Sequence, residues 1–254
     1  MSFQTLPLTD AHLHLTAHRA RDAQPEMNAA AVVRYCLGLG FRGLGLVEHL
    51  TATAKHPLAC LQALVQDVQA LPRSMDLDIR VGVELDIVDG RGALDCLADT
   101  EGLNLDFLIA SVHGHVLKTL PPQAGFEACI RQETDWMVAA LTGPARFALL
   151  GHPWAMSRRA GAGRFAAISR DCRECVIEAL AASGRAYNTT HRDLADVLTP
   201  EFEMFVRRLL QAGVKIAVGS DAHALPTIAR AADLTAWLES LGMRPNQLWW
   251  PADL

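Results

Sequence analysis

Histidines and acids recur in this 254-residue chain where short apolar runs end. In order they are Asp10-Ala-His12-Leu-His14, Glu48-His49, Gly82-Val-Glu84, Ser111-Val-His113, Gly151-His152-Pro153 and Ser220-Asp221-Ala-His223, with His18 just past the first. Imidazole and carboxylate groups in such number suit a centre of several divalent transition-metal ions. In His12-Leu-His14 the two rings fall on one side of a strand, because strand side chains alternate with a period of two, so a single ion can take both. Asp221-Ala-His223 repeats the spacing with a carboxylate and an imidazole. Either pair is a weak signal alone; with single ligands after the intervening runs, the set becomes specific.

Five apolar runs, at 44–47, 79–83, 107–110, 147–150 and 215–218, precede these residues and read as buried strands. Helical patterns lie between them. Positions 25–39 carry Val32, Tyr35, Cys36 and Leu39 on one face. Thr199-Pro200-Glu201 opens another helix with a capping threonine and a first-turn proline, and Gly213 ends it. A third is expected around 134–141, after an irregular loop begun by Pro121 and Pro122. Strand and helix alternate about seven times, which predicts a parallel sheet, since parallel strands need such crossovers. An open sheet would spread the ligands along a line, whereas a closed barrel brings every strand end around one axis. The expected fold is therefore α/β: one distorted TIM-like barrel of seven (β/α) units over residues 1–254, with metals at the C-terminal ends of its strands.

Composition excludes several alternatives. The net charge is −5, and no run of Lys or Arg could track a nucleic-acid backbone. The first residues lack a signal peptide's basic start and apolar core, and no apolar stretch reaches bilayer length. The six cysteines are scattered, as in a reduced compartment, so a cytoplasmic protein is expected. Cys172 and Cys175 form the one C-x-x-C; the apolar spacing around them predicts two thiols packed on the inward face of a helix.

In the order and spacing of these motifs the chain resembles the PHP (polymerase and histidinol phosphatase) family over essentially its whole length. That resemblance implies a (β/α)₇ barrel holding two or three divalent ions of zinc, iron or manganese. It implies that His12, His14 and Asp221 hold the first ion, that Glu84 bridges to the second, and that His113 and His152 complete the second. His49 and His223 would serve a third, with His18 as partner. His18 is also where the chain departs from the commoner pattern, because the first motif continues as His14-Leu-Thr-Ala-His18. Glu84, Asp221 and His223 are the expected catalytic residues.

Two cations about 3.5–4 Å apart activate a shared water for in-line attack on phosphorus, with no protein nucleophile. Arg158, Arg159 and Arg192, in the loops after the fifth and sixth strands, are the expected phosphate ligands. His56, His115 and His191 are expected on the surface, and Trp154 either walls the pocket or packs on the rim. Trp249 and Trp250 are expected to dock the C-terminus against the barrel. Glu48 either meets a substrate ammonium group or supports a ligand. The expected partner is a small phosphorylated substrate, with L-histidinol phosphate first by resemblance. The alternatives are a nuclease or nucleotide phosphatase of the same family, an amidohydrolase-type hydrolase, and a non-catalytic metal-binding module.

Overall fold

The computed structural model describes residues 5–19, 23–52, 55–72, 76–121, 123–159 and 164–251. Seven strands form one sheet in the order of the sequence: β1 (Thr9–His14), β2 (Gly43–Leu50), β3 (Asp78–Asp86), β4 (Phe107–Ser111), β5 (Leu149–Gly151), β6 (Ala186–Thr189) and β7 (Ile216–Val218). Every neighbouring pair is parallel. The first and last edges meet just past β7: Asp221 N–H donates to the His12 carbonyl at 2.7 Å, and His14 N–H to that of Ala222 at 3.1 Å. The barrel is thus closed by the very segment that carries the last two ligands.

Helices α1 (Ala29–Gly38), α2 (Leu58–Gln69), α3 (His115–Thr119), α4 (Phe126–Thr142), α5 (Ala155–Ser157), α6 (Arg170–Ser183), α7 (Pro200–Gln211), α8 (Leu225–Ile228) and α9 (Arg230–Ser240) fill the connections. The expected alternation fails once. Between β3 and β4 the described chain forms only a 3-10 turn, Leu97–Thr100. Gly92 of that connection lies directly on the backbone of α4, where a Cβ would meet Ala140 N at 2.3 Å, and Ile87, Leu94 and Leu97 of the connection pack on the core.

Two helix ends shift from expectation. α1 begins at Ala29, because Asn28 accepts the Ala31 N–H at 3.0 Å and caps it there. α4 spans Phe126–Thr142, and Pro122 of the expected loop lies outside the described residues. Thr199 precedes α7 as expected, but its hydroxyl donates back to the Asp196 carbonyl rather than capping the helix. In α6 the buried face is Val176, Ile177, Ala179 and Leu180, and Cys175 is exposed while Cys172 is half-buried. The expected inward pair of thiols is therefore corrected for one of them: Cys172 packs against the core, whereas Cys175 is exposed.

Most of the hydrophobic core lies between sheet and helices, but a second cluster, Ala11, Val47, Phe107, Ile109, Leu149, Ala186 and Ala217, fills the barrel interior. The Phe107 ring lies against Gly45 and Gly82. A Cβ at Gly82 would come within 2.5 Å of its ring, so that strand needs a glycine there. Trp249 and Trp250 pack under this cluster, with Trp250 Nε1–H donating to Asp78 at 2.6 Å, and so plug the N-terminal end of the barrel as expected. No helix of the described residues is long and apolar enough to cross a membrane.

Candidate metal centre

The opposite end of the barrel gathers the polar residues. β1 is buried along its whole length, and Asp10, His12 and His14 are all at 0 % exposure. The Nε2 atoms of His12 and His14 stand 3.0 Å apart. Glu84 Oε2 lies 3.3 Å from each, and Asp221 Oδ1 is 3.4 Å from His14 and 4.0 Å from His12. Ligand bonds of about 2.0–2.2 Å in a tetrahedral shell separate donor atoms by roughly 3.3–3.6 Å. His12, His14 and Glu84 have the spacing of ligands to one ion, and Asp221 lies beside them.

Glu84 faces a second group with the rest of its carboxylate. Its Oε1 lies 2.9 Å from His152 Nε2 and 3.5 Å from His113 Nε2, and its Oε2 lies 3.0 Å from His49 Nδ1. Among the described residues three overlapping groups have metal-binding spacing: His12 with His14 and Glu84, His49 with Glu84 and His113, and His14 with His49 and His223. Glu84 links the first two, as a bridging ligand must.

The rings of His12 and His113 are each oriented by a partner behind them. Asn188 of β6 accepts from His12 Nδ1 at 2.7 Å, and Asp86 of β3 accepts from His113 Nδ1 at 2.6 Å. Both contacts leave Nε2 directed at the centre with its lone pair free. Asp10 accepts the N–H groups of His12 and Ser220, tying β1 to the end of β7, and burial pushes its carboxyl up to about 6. A Cβ at Gly219 would meet His12 Cβ at 2.5 Å, so glycine permits that close approach. His152 (φ 27°), Trp154 (φ 60°) and Asp221 (φ 50°) sit in the left-handed region that non-glycine residues avoid, and two of them are site residues.

The electrostatics follow from burial against clustering. Burial pushes the Glu84 carboxyl up, but the imidazoles of His49, His12 and His113 outweigh it and hold it well below the usual range. Asp221 is likewise held low, despite burial, by His14, His12, His152 and Arg192. Burial pushes His49 well below its ordinary value and His223 down to about 3.

A cleft of about 500 Å³ opens over the centre, lined by His49, Thr51, Lys55, His56, Asp86, His113, His115, Lys118, His152, Arg159, Arg192, Asp221 and His223 among others. Arg159 and Arg192 reach it as expected, the latter with Nε–H on Asp221 at 2.7 Å. Arg158 does not. Its fork donates to Asp193 at 2.7 Å and to Asp196 at 2.5 Å, and it braces the segment His191–Ala195 instead. His18 also stays out of the cluster, with Nε2 2.9 Å from Asp67 of α2.

Other expectations change with context. His56 is buried against His49, with ring centroids 4.8 Å apart, and His115 lines the cleft 3.5 Å from Asp86. His191 is half-buried, its Nδ1 2.5 Å from the Ser220 carbonyl. Trp154 is fully buried between Phe165 and Phe205, with Nε1–H on Thr134, so it packs behind the rim and does not wall the cleft. Glu48, at 0 % exposure, is held by Arg19 and is closed to a substrate ammonium. Sequence reasoning missed Arg19, Asn188 and Asp86. Asp86 was accessible to it, being two residues beyond Glu84 and hence on the same side of β3.

No protein-family model matches the chain, and no curated protein is similar to it in sequence. Among solved structures, the chain is similar to the histidinol phosphate phosphatase of Lactococcus lactis subsp. lactis, solved with zinc, L-histidinol and phosphate. The TM-score is 0.67 at 16 % identity, over 96 % of this chain and 99 % of that one. A weaker match, with a TM-score of 0.47 and 15 % identity, covers 97 % of this chain and 100 % of a metal-dependent tyrosine phosphatase from the pair YwqE of Bacillus subtilis and CpsB of Streptococcus pneumoniae. The fold shared with the histidinol phosphate phosphatase is the TIM-like (β/α)₇ barrel.

Proposed function

We propose that this chain is a metal-dependent phosphomonoester hydrolase. The observation that carries the reading is Glu84, at 0 % exposure, set between two groups of imidazoles at the floor of an open cleft. His12, His14 and Asp221 would hold one ion, His113 and His152 with His49 the other, and Glu84 both. Divalent ions held there would supply an activated water and a Lewis acid for a phosphoryl oxygen. Arg192 and Arg159 at the rim would neutralise the remaining phosphoryl charge. The zinc-containing phosphatase of the same fold supports the reading by analogy of architecture. Phosphate release from a panel of monoesters by protein carrying two metal equivalents tests it. No release from any ester at full metal loading would sink it.

L-Histidinol phosphate is the first substrate to test, on the sequence resemblance. The lining of the cleft favours a second reading, in which the leaving group is itself anionic. Lys118 and Arg159 line the cleft, and its carboxylates among the described residues are already engaged: Asp86 by His113 and His115, Asp221 by Arg192 and His14. An ammonium group would find no uncommitted acid there. A steady-state comparison of L-histidinol phosphate, glycerol 3-phosphate and 3-phosphoglycerate separates the two readings. A higher kcat/KM for histidinol phosphate than for 3-phosphoglycerate would eliminate the anionic one.

A further inference from the structure

The apolar lining of the cleft comes from two short helices. Among the described residues that line it, only Leu117, Ala155 and Met156 carry apolar side chains, the first from α3 and the others from α5. α3 starts two residues beyond His113 and α5 three beyond His152, after the neighbouring strands β4 and β5. Both helices therefore rise from adjacent strand ends, next to the two imidazoles that face Glu84 Oε1. Thr51, Lys55, Arg192 and His223, elsewhere in the lining, are polar.

Both helices are braced from α4. In α3, Val116 is buried at 0 % exposure, while the next residue, Leu117, is 38 % exposed. Gln132 Nε2–H of α4 donates to Thr119 Oγ1 at 2.5 Å and holds the end of α3. Glu133, the following residue of α4, accepts the N–H groups of Met156 and Ser157 at 3.3 and 2.8 Å. Trp154, fully buried with φ 60°, fixes the start of α5. A large apolar side chain held in water over a polar floor forgoes the gain from burial, and an apolar ligand group restores it.

We propose that Leu117 and Met156 form the leaving-group subsite, and that the substrate is a phosphomonoester of an alcohol with an apolar body. The inference rests on the phosphatase reading above. With the phosphoryl group at the floor, near Glu84 and Arg192, the substituent on the ester oxygen extends along α3 and α5. In the hydrolysis the water oxygen bonds to phosphorus, the ester P–O bond breaks, and a proton of the water ends on the released alcohol. Leu117 and Met156 take no part in that exchange; they set which alcohol is accepted. Lys118 and Arg159 follow on the same two segments, so one leaving group can combine an apolar body with an anionic end.

Benzyl phosphate and glycerol 3-phosphate test this, because both release primary alcohols and differ in the apolarity of the body. In metal-loaded wild type, kcat/KM should favour benzyl phosphate by about tenfold or more. L117N and M156Q keep the size of each side chain and remove its apolar character, and each should cut that ratio severalfold. Calorimetric titration with 2-phenylethylphosphonate and 3,4-dihydroxybutylphosphonate, in which CH₂ replaces the ester oxygen, should show the same preference in Kd and the same narrowing. A kcat/KM ratio of about one or below in wild type, or a ratio unchanged in both variants, would overturn the subsite and leave the phosphatase reading standing. No release from any ester would sink the phosphatase reading, and the phosphonates would still decide the subsite. Tighter binding of the phenyl compound than of the diol in wild type upholds it, and equal binding overturns it. Should the variants fail to fold by circular dichroism, that wild-type comparison decides alone.

Discussion

Asn188 Oδ1 accepts from His12 Nδ1 at 2.7 Å, and the other end of the same amide donates to the Ala217 carbonyl at 3.2 Å. The second bond fixes which way the amide points, and the first fixes the His12 tautomer. Its Nε2 is left as a lone pair facing His14, Glu84 and Asp221. Asn188→Ala should therefore weaken metal binding about 10–100-fold while the fold persists. Chelator competition measures it; wild-type affinity in the variant would show that the tautomer is set elsewhere.

Glu84 and His18 should behave very differently. Glu84→Gln removes the charge shared by both ligand groups and should reduce metal content and kcat by more than about a hundredfold, beyond the usual cost of an outer partner. His18→Ala breaks only an exposed contact to Asp67, worth roughly 0–1 kcal/mol, and should leave kcat within about a factor of two. Equal losses in the two variants would contradict the bridge.

Arg158 and Arg192 should separate by the kind of defect. Arg158→Ala leaves Asp193 and Asp196 buried without their cation and should cost about 3–5 kcal/mol of stability. Arg192→Ala removes a cleft-lining charge and should lower kcat/KM about ten- to a hundredfold with little change in unfolding midpoint. Denaturant titrations beside steady-state kinetics would expose a reversal of these roles.

Phe107 fills the barrel interior at 4 % exposure, and its cavity has strand backbone on its walls. Phe107→Ala should cost about 3–5 kcal/mol, because strands cannot collapse inward as a loop could. Urea unfolding checks this, and a loss below 1 kcal/mol would mean that the interior is less tightly filled than described.

Glu133 links stability to pH. It accepts from Ser157 N–H at 2.8 Å, Ser157 Oγ–H at 2.5 Å and Met156 N–H at 3.3 Å, under the cleft-lining helix α5, and burial pushes its carboxyl up to about 7. Between the ordinary carboxylate value and about 7 the folded state binds the extra proton, so this group's contribution to stability falls as pH rises through that window. Glu133→Gln has no proton to lose. Its stability relative to wild type should improve by up to about 3 kcal/mol between pH 5 and pH 8, at 1.36 kcal/mol per pKa unit. Parallel urea midpoints in metal-free protein across that range would refute the assignment.

The period-two spacing of His12 with His14 and of Asp221 with His223, each after an apolar run, was legible in the sequence because it depends on strand geometry alone. With the ligands on the intervening runs it implied a closed parallel barrel and the end at which its site would lie. The regular period misled at residues 87–106, where Ile87, Leu94 and Leu97 pack on the core without forming a helix, and at Cys175, which lies outside the apolar stripe that Cys172 joins. What the tertiary structure decided are the contacts between residues distant in sequence. Arg158 turns to Asp193 and Asp196, His18 to Asp67, and Arg19 to Glu48 and His14, none of which any local spacing encodes. A loop arginine reads the same in sequence whether it meets a substrate or a buried acid. Only the closed barrel, by fixing which carboxylate lies within reach, distinguishes the two.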